Sequence, residues 1–341
     1  MEPRYITTSL TRIADLEQVP FTVEPCPREQ WSEGDYTAVR VSGAPTDLYR
    51  LETCSGRRVD VMPGDYAISA LGTRAATLEG AGTWREVGKD NVMHSLTGAG
   101  LLGKMTSASR MLPRFMTVDY IGHIVRNGAR LNMKDFVSPV EDAVLAVPVI
   151  LLVGTSMSAG KTSTGRLIIH ELKRCGLRVG GAKFTGAARY HDILSFADAG
   201  ADHILDFVDV GLPSTVVSPN DFRHSMQQMI ARVAALDIDV LVAEAGASPL
   251  EPYNGAVAVE MLLPCVKFTV LCAFDPYSVV GVMKAFGLQP DLVAGPAAAT
   301  AAAVDLVSAL TGLPALDNLD PDAGEPMQQH LRKAIPELFS R

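Results

Sequence analysis

The chain has 341 residues, 48% of them apolar and 20% charged, with 30 Lys and Arg against 38 Asp and Glu for a formal charge of −8. That length allows about two domains of roughly 150 residues, and the composition excludes disordered, collagen-like and fibrous chains. A net acidic chain is a poor match to a phosphate backbone, so nucleic acid is not an expected partner.

Five cysteines (Cys26, Cys54, Cys175, Cys265 and Cys272) form no Cys-x-x-Cys pair, which argues against a disulfide framework and a structural zinc site. Met1, Glu2, Pro3 and Arg4 are not a basic segment leading into an apolar run, so no signal peptide is expected. The longest apolar stretch, residues 143–153, is eleven residues with Pro148 inside, whereas a membrane-spanning helix needs about 20. These features predict a cytoplasmic protein that does not engage a membrane.

Up to about residue 145 the pattern is one of short alternating segments with turn punctuation. Residues 37–41, 49–53 and 66–71 have strand period. Residues 115–125 and 129–136 flank Asn127-Gly128, a pair that accepts the positive φ values of a type I′ hairpin turn. Gly98-Ala99-Gly100 and Gly103-Lys104 follow no buried strand and read as turns. Residues 1–145 are therefore expected to form a smaller, mainly antiparallel β domain; a small barrel is one form open to it.

From 146 to 341 the grammar becomes strand, turn, helix. Residues 148–153 are a continuous apolar run, as in a parallel strand covered on both faces. Residues 163–175 read as a helix ended by Gly176. Further strands are predicted at 178–183, 240–243, 267–273 and 291–294, with helices at 221–236 and 298–310. Alternating strands and helices imply a three-layer α/β domain around a parallel sheet.

Between the first of these strands and its helix lies Gly154-Thr155-Ser156-Met157-Ser158-Ala159-Gly160-Lys161-Thr162-Ser163. This is the setting of a phosphate-binding loop, in which successive main-chain N–H groups and the following helix N-terminus cradle an anion. The main chain of 155–163 is expected to hold a triphosphate, Lys161 to reach its β- and γ-phosphates, and the Thr162 hydroxyl to meet Mg²⁺. Five residues separate the two glycines where four are usual; the competing reading is a glycine-punctuated turn with a chance Gly-Lys-Thr.

Two later strand ends add charge. The strand at 240–243 runs into Glu244-Ala245-Gly246-Ala247-Ser248, and an acid at that position can help hold the metal; otherwise it is a solvated glutamate. The strand at 178–183 ends at Lys183, followed by Phe184-Thr185-Gly186 and then Arg189-Tyr190-His191-Asp192 before another helix. Lys183 can neutralise charge on a transferring phosphoryl group or a substrate carboxylate, and Asp192 can supply a second metal contact. The alternatives are a surface lysine and a helix N-cap. Glu251, Tyr253 and Asn254, in the loop after Glu244, fit either substrate contacts or turn formation. His191, His203 and His224 lack metal-ligand spacing.

The spacing Gly154-Thr155-x-x-x-x-Gly160-Lys161-Thr162, with Lys183, Asp192 and Glu244 following in order, resembles the P-loop NTPases of the dethiobiotin synthetase and cobyrinic acid synthetase superfamily. The resemblance covers roughly residues 147–315. It implies ATP and Mg²⁺ as cofactors, with Lys161 and Lys183 as catalytic groups and Thr162, Asp192 and Glu244 arranged around the metal. It further implies phosphorylation of a small carboxylate-type acceptor, giving a ligase or synthetase, and a homodimer is a common form in that family. The chain departs from the pattern at Ser156, often aspartate there, and at 245–248, where only the glutamate of Glu-Gly-Ala-Gly-Gly is kept in register. The loop Ala294-Gly295-Pro296-Ala297 carries no base-reading motif, no glutaminase Cys-His-Glu set is identifiable, and the β domain has no counterpart in dethiobiotin synthetase. An alternative function is a nucleotide-hydrolysing switch or assembly factor acting on a protein partner.

Overall fold

The structure is a computed structural model that describes residues 4–43 and 50–340. Tyr49, with which one expected strand begins, lies outside the described residues. By compactness the chain divides into two units. The first runs to Pro139 and takes in Ala187–His191 and Phe207–Val216; the second comprises Val140–Gly186, Asp192–Asp206 and Val217 onward. Among the described residues no helix is long and apolar enough to cross a membrane.

The first unit holds β1 (Tyr5–Thr7), β2 (Thr22–Glu24), β3 (Tyr36–Val41), β4 (Leu51–Glu52), β5 (Arg58–Val59), β6 (Tyr66–Ala70), β7 (Thr73–Ala76) and β8 (Gly80–Thr83). It continues with β9 (Val92–Ser95), β10 (Leu102–Ala108), β11 (Met116–Arg126) and β12 (Ala129–Arg130). The main sheet runs β1-β6-β3-β11-β9-β10-β8-β7 and is antiparallel except where β1 meets β6. Trp31, Val39, Val41, Met93, Phe115, Met116 and Val118 supply its core. The hairpin forms at Asn127-Gly128 with φ of 53° and 75°, pairing Val125 with Arg130. The strand expected at 129–136 is cut short after Arg130 because Asn132 opens a capping box. Its side chain accepts the Lys134 N–H at 3.0 Å while Asp135 accepts the Asn132 N–H at 2.7 Å, and this starts a 3₁₀ turn. Glu52, buried at the end of β4, accepts the Ser9 hydroxyl at 2.7 Å and the main-chain N–H groups of Tyr190 at 2.7 Å and His191 at 2.8 Å.

The second unit contains β13 (Val149–Gly154), α1 (Lys161–Arg174), β14 (Val179–Thr185), α2 (Tyr190–Asp198, whose first two residues belong to the first unit) and β15 (His203–Asp206). Then come α3 (Pro219–Ala234), β16 (Val240–Ala245), α4 (Gly255–Leu262), β17 (Val266–Cys272), α5 (Pro276–Phe286), β18 (Leu292–Ala294), α6 (Ala301–Thr311) and α7 (Gly324–Ala334). The sheet order is β15-β14-β16-β13-β17-β18, and every pair is parallel. All residues of β13, β14 and β16 are buried. Both faces of the central sheet are therefore covered, which is why β13 and the first four residues of β16 are apolar runs rather than alternating ones. The helix expected at 298–310 begins later than the alanine run suggests: Pro296–Ala298 form a 3₁₀ turn first, and Thr300 then caps α6 by accepting the Ala303 N–H at 3.2 Å.

Candidate functional site

In a parallel sheet the loops at the carboxyl ends of the strands gather along one edge. Here β13, β14, β16, β17 and β18 deliver Gly154, Lys183, Glu244, Cys272 and Ala294 to that edge.

The 154–160 turn is shaped by two glycines. Gly160 has φ 92° and ψ 9°, a left-handed conformation that costs glycine little, and the helix starts at the next residue. A left-handed residue followed by helical ones aims successive N–H groups into one concavity. The main-chain bonding of α1 begins with Thr164 N–H to Gly160 C=O at 3.0 Å, so the amides of Lys161, Thr162 and Ser163 form the open N-terminal turn. At Gly154 a Cβ would stand 2.5 Å from Lys161 Nζ, so the absence of a side chain lets the lysine fold back over the loop. Ser156 and Ala159 are buried and Ser158 is exposed. Thr155 plays a different part from the one expected of its amide. Its N–H donates to Cys272 C=O at 3.0 Å and its hydroxyl accepts the Phe274 N–H at 3.1 Å. Thr155 therefore ties the loop to β17, and the stretch of amides facing an anion starts after it.

Lys161 is 2% exposed and its Nζ donates to Ser156 C=O at 2.7 Å. Burial pushes its pKa down, and the nearby Lys183 adds to that, while Glu244 and Cys272 oppose it. A buried ammonium resting on carbonyl dipoles lacks the full countercharge that would offset its desolvation. An incoming polyanion supplies it. The Ser156 Oγ beside it is buried with no hydrogen-bond partner.

One strand away, Thr162 Oγ1 donates to Glu244 Oε2 at 3.1 Å. Burial raises the Glu244 pKa, and neither Lys183 nor Lys161 fully offsets it; Asp192 pushes it further up. Lys183 Nζ donates to Asp192 Oδ2 at 2.6 Å. Burial alone would lower the Lys183 pKa, but Asp192, Glu244 and Asp206 outweigh it and the net shift is upward. The structure thus brings Lys161, Thr162, Lys183, Asp192 and Glu244 within electrostatic range of one another. Asp192 faces the Lys183 ammonium.

The donors suit Mg²⁺ on a nucleotide: a hydroxyl and carboxylate oxygens are hard ligands, and Mg²⁺ keeps waters and phosphate oxygens for the rest of its octahedron. Among the described residues no group of three or more His, Cys, Asp or Glu could hold a metal unaided.

The loop after Glu244 is held by a hydrogen bond within it, by burial and by a bond to Val217. Glu251, 8% exposed, accepts the Ser248 N–H at 2.8 Å; Tyr253 is fully buried; Asn254 has φ 59° and donates to Val217 C=O at 3.0 Å. Sequence reasoning missed the close approach at Gly295, where a Cβ would stand 2.2 Å from Ala159 C=O. The signal was Gly-Pro directly after the last strand. It also missed Asp206, aligned with Lys183 across β14 and β15 on an edge strand of mixed burial.

A buried parallel sheet with a phosphate-loop turn between its central strand and α1, and an acid at the end of the adjacent strand, is the fold of a P-loop NTPase. No family model and no curated protein matches the chain. Solved structures similar to it include chloroplast FtsY from Physcomitrella patens, at 13% identity over 60% of this chain and 68% of that one with a TM-score of 0.39. A DUF1611 family protein from Anabaena variabilis is similar at 18% identity over 57% of this chain and 62% of that one, with a TM-score of 0.39. A ParA family ATPase from Chlorobium tepidum is similar at 14% identity over 57% of this chain and 96% of that one, with a TM-score of 0.33. These likenesses are distant.

Proposed function

We propose that this chain is a nucleotide- and Mg²⁺-dependent enzyme of the dethiobiotin synthetase-like kind, which phosphorylates a small carboxylate-type acceptor. One observation carries the reading: a buried lysine, Lys161, folded over a left-handed turn at a helix N-terminus, one strand from a Thr162–Glu244 pair. A bound Mg²⁺–nucleotide would supply the transferable phosphoryl group. The amides from Ser156 to Ser163 hold and orient the triphosphate. Lys161 gains its countercharge from it and stabilises charge on the terminal phosphates. Thr162 and Glu244 present oxygens to the cation. Lys183, poised on Asp192, exchanges that carboxylate for one belonging to the acceptor and holds it in line. Catalysis comes mainly from positioning and electrostatics; the acceptor carboxylate takes the γ-phosphoryl group as the β–γ bond breaks, giving an acyl phosphate and the nucleoside diphosphate.

A second reading, a nucleotide-hydrolysing switch acting on a protein partner, is favoured by the closed Lys183–Asp192 pair at 2.6 Å. Hydrolysis needs only water there and no displacement of Asp192. Measuring phosphate release from ATP and GTP with Mg²⁺ across a panel of small carboxylic acids separates the two. Release that rises with one acid supports the enzyme. Release indifferent to every acid, together with no phosphorylated product, removes the acceptor from the proposal.

A further inference from the structure

The phosphate loop has two unlike sides. In the sheet, β13 lies between β16 and β17. Toward β16 and β14 stand the Thr162–Glu244 and Lys183–Asp192 pairs. Toward β17 and β18 stand Phe274 and the Gly295–Pro296 turn. Charged groups belong beside the terminal phosphates, where charge moves during transfer. A nucleoside is uncharged and needs planar, apolar cover. A triphosphate laid along the loop therefore directs its γ end toward β16 and its base toward β17 and β18.

Phe274 stands at the right place to meet that base. Its N–H donates to the Thr155 hydroxyl at 3.1 Å, which fixes its main chain to the phosphate loop, and the residue is 51% exposed. The neighbouring Gly295 main chain closes directly onto Ala159, and Pro296 Cδ lies 3.6 Å from where a Cβ on Gly160 would be. Two polar side chains beside this surface each have an oxygen engaged by the main chain. Asp275 Oδ1 caps α5, accepting from Tyr277 N–H at 2.9 Å and Ser278 N–H at 3.0 Å. Asn318 Oδ1 accepts the Gly295 N–H at 3.1 Å. Ala297 and Ala298 are buried and offer no side-chain polar atom.

We propose that Phe274 is the stacking platform for the nucleobase, and that the base is held by its face rather than read along its edge, so adenine and guanine nucleotides are accepted alike. Every base has a π-face, so a stacking contact tolerates base identity, whereas discrimination needs hydrogen-bonding groups committed to the ring edge. The inference rests on the phosphate-loop reading given above.

The test is calorimetric binding of ATP, GTP and inorganic tripolyphosphate, with Mg²⁺, to the full chain and to Phe274→Ala and Phe274→Tyr. In the unaltered chain ATP and GTP are expected to bind within about tenfold of each other. Phe274→Ala is expected to weaken both by roughly tenfold to a hundredfold, leaving tripolyphosphate unchanged, and Phe274→Tyr to restore them. Unaltered ATP and GTP affinity in Phe274→Ala overturns the inference while tripolyphosphate binding leaves the phosphate loop standing. Equal loss of all three probes overturns it by assigning Phe274 to loop structure, and a preference of about a hundredfold or more for one base overturns it by demanding edge recognition. A chain that binds none of the three removes the phosphate-loop reading and this inference with it.

Discussion

Thr162 and Glu244 are 82 residues apart in the chain, yet Thr162 Oγ1 donates to Glu244 Oε2 at 3.1 Å. The contact follows from topology. β13 and β16 are adjacent and parallel, so the first turn of α1 and the end of β16 face each other across one strand spacing. The pair prepares two hard oxygen donors beside the phosphate loop.

Glu244→Gln should separate binding from chemistry. The amide oxygen can still accept from Thr162, but the charge that draws the cation is gone. Nucleotide affinity without metal should stay within about threefold, while Mg²⁺-dependent turnover should fall by about a hundredfold or more. Thermal stability should not drop, because burial already disfavours the charged form of Glu244. Full turnover in this variant removes Glu244 from the cation site.

Lys161→Ala tests the loop itself. The ammonium donates to the Ser156 and Met157 carbonyls, at 2.7 Å and 3.5 Å, so the fold gives up little when it is removed. A bound triphosphate gives up a charge-assisted contact in a buried site, and affinity should fall by about a hundredfold or more. Unchanged ATP binding, with circular dichroism like that of the unaltered chain, rules out the phosphate-loop assignment.

The parts of the site made of local grammar were legible in the sequence. The buried run before Gly154, the Gly160-Lys161-Thr162 step and the apolar strand ending at Glu244 each carry their own signal, and the sheet brings them together. Asn127-Gly128 announced its hairpin because both residues tolerate positive φ. What stayed hidden is set by partners far away in the chain. Nothing near Thr155 says that its amide belongs to Cys272 and its hydroxyl to Phe274. Glu251, Tyr253 and Asn254 fitted substrate contact or turn formation equally, and only their hydrogen bonds and burial show them holding the loop. The segments 187–191 and 207–216 group with the first unit although no composition change marks them. β15 escaped notice because an edge strand with burial running from exposed to buried has neither alternation nor an apolar run.

Glu52 provides a stability prediction within the first unit. Its buried carboxylate accepts from Ser9 Oγ, Tyr190 N–H and His191 N–H, the last two at the start of α2, where a negative charge is favoured. Glu52→Ala strands these donors and should cost about 3 kcal/mol, while Glu52→Gln, which keeps one acceptor oxygen, should cost about half as much. Urea denaturation midpoints check the order. A Glu52→Ala midpoint equal to that of the unaltered chain removes the carboxylate from this role.

Cys272, at the end of β17 and fully buried, links the site to stability at high pH. Burial pushes its thiol up to about 11 from 9.0, against a smaller opposing contribution from the hydrogen bond to Thr164, whose hydroxyl is 3.4 Å away. Between those values the unfolded chain loses the proton and the folded chain keeps it, so fewer protons are bound on unfolding and stability falls as pH rises. The loss is absent below about pH 9 and reaches about 2 kcal/mol near pH 11. Other groups titrate in the same window, so the measurement is a difference: urea unfolding of the unaltered chain and of Cys272→Ala at pH 8 and at pH 10.5. The alanine variant should start less stable, because it leaves a small cavity, and should then lose less on going to the higher pH. Equal losses in the two chains mean that the thiol ionises as readily folded as unfolded, and that the carboxyl end of β17 is open to water.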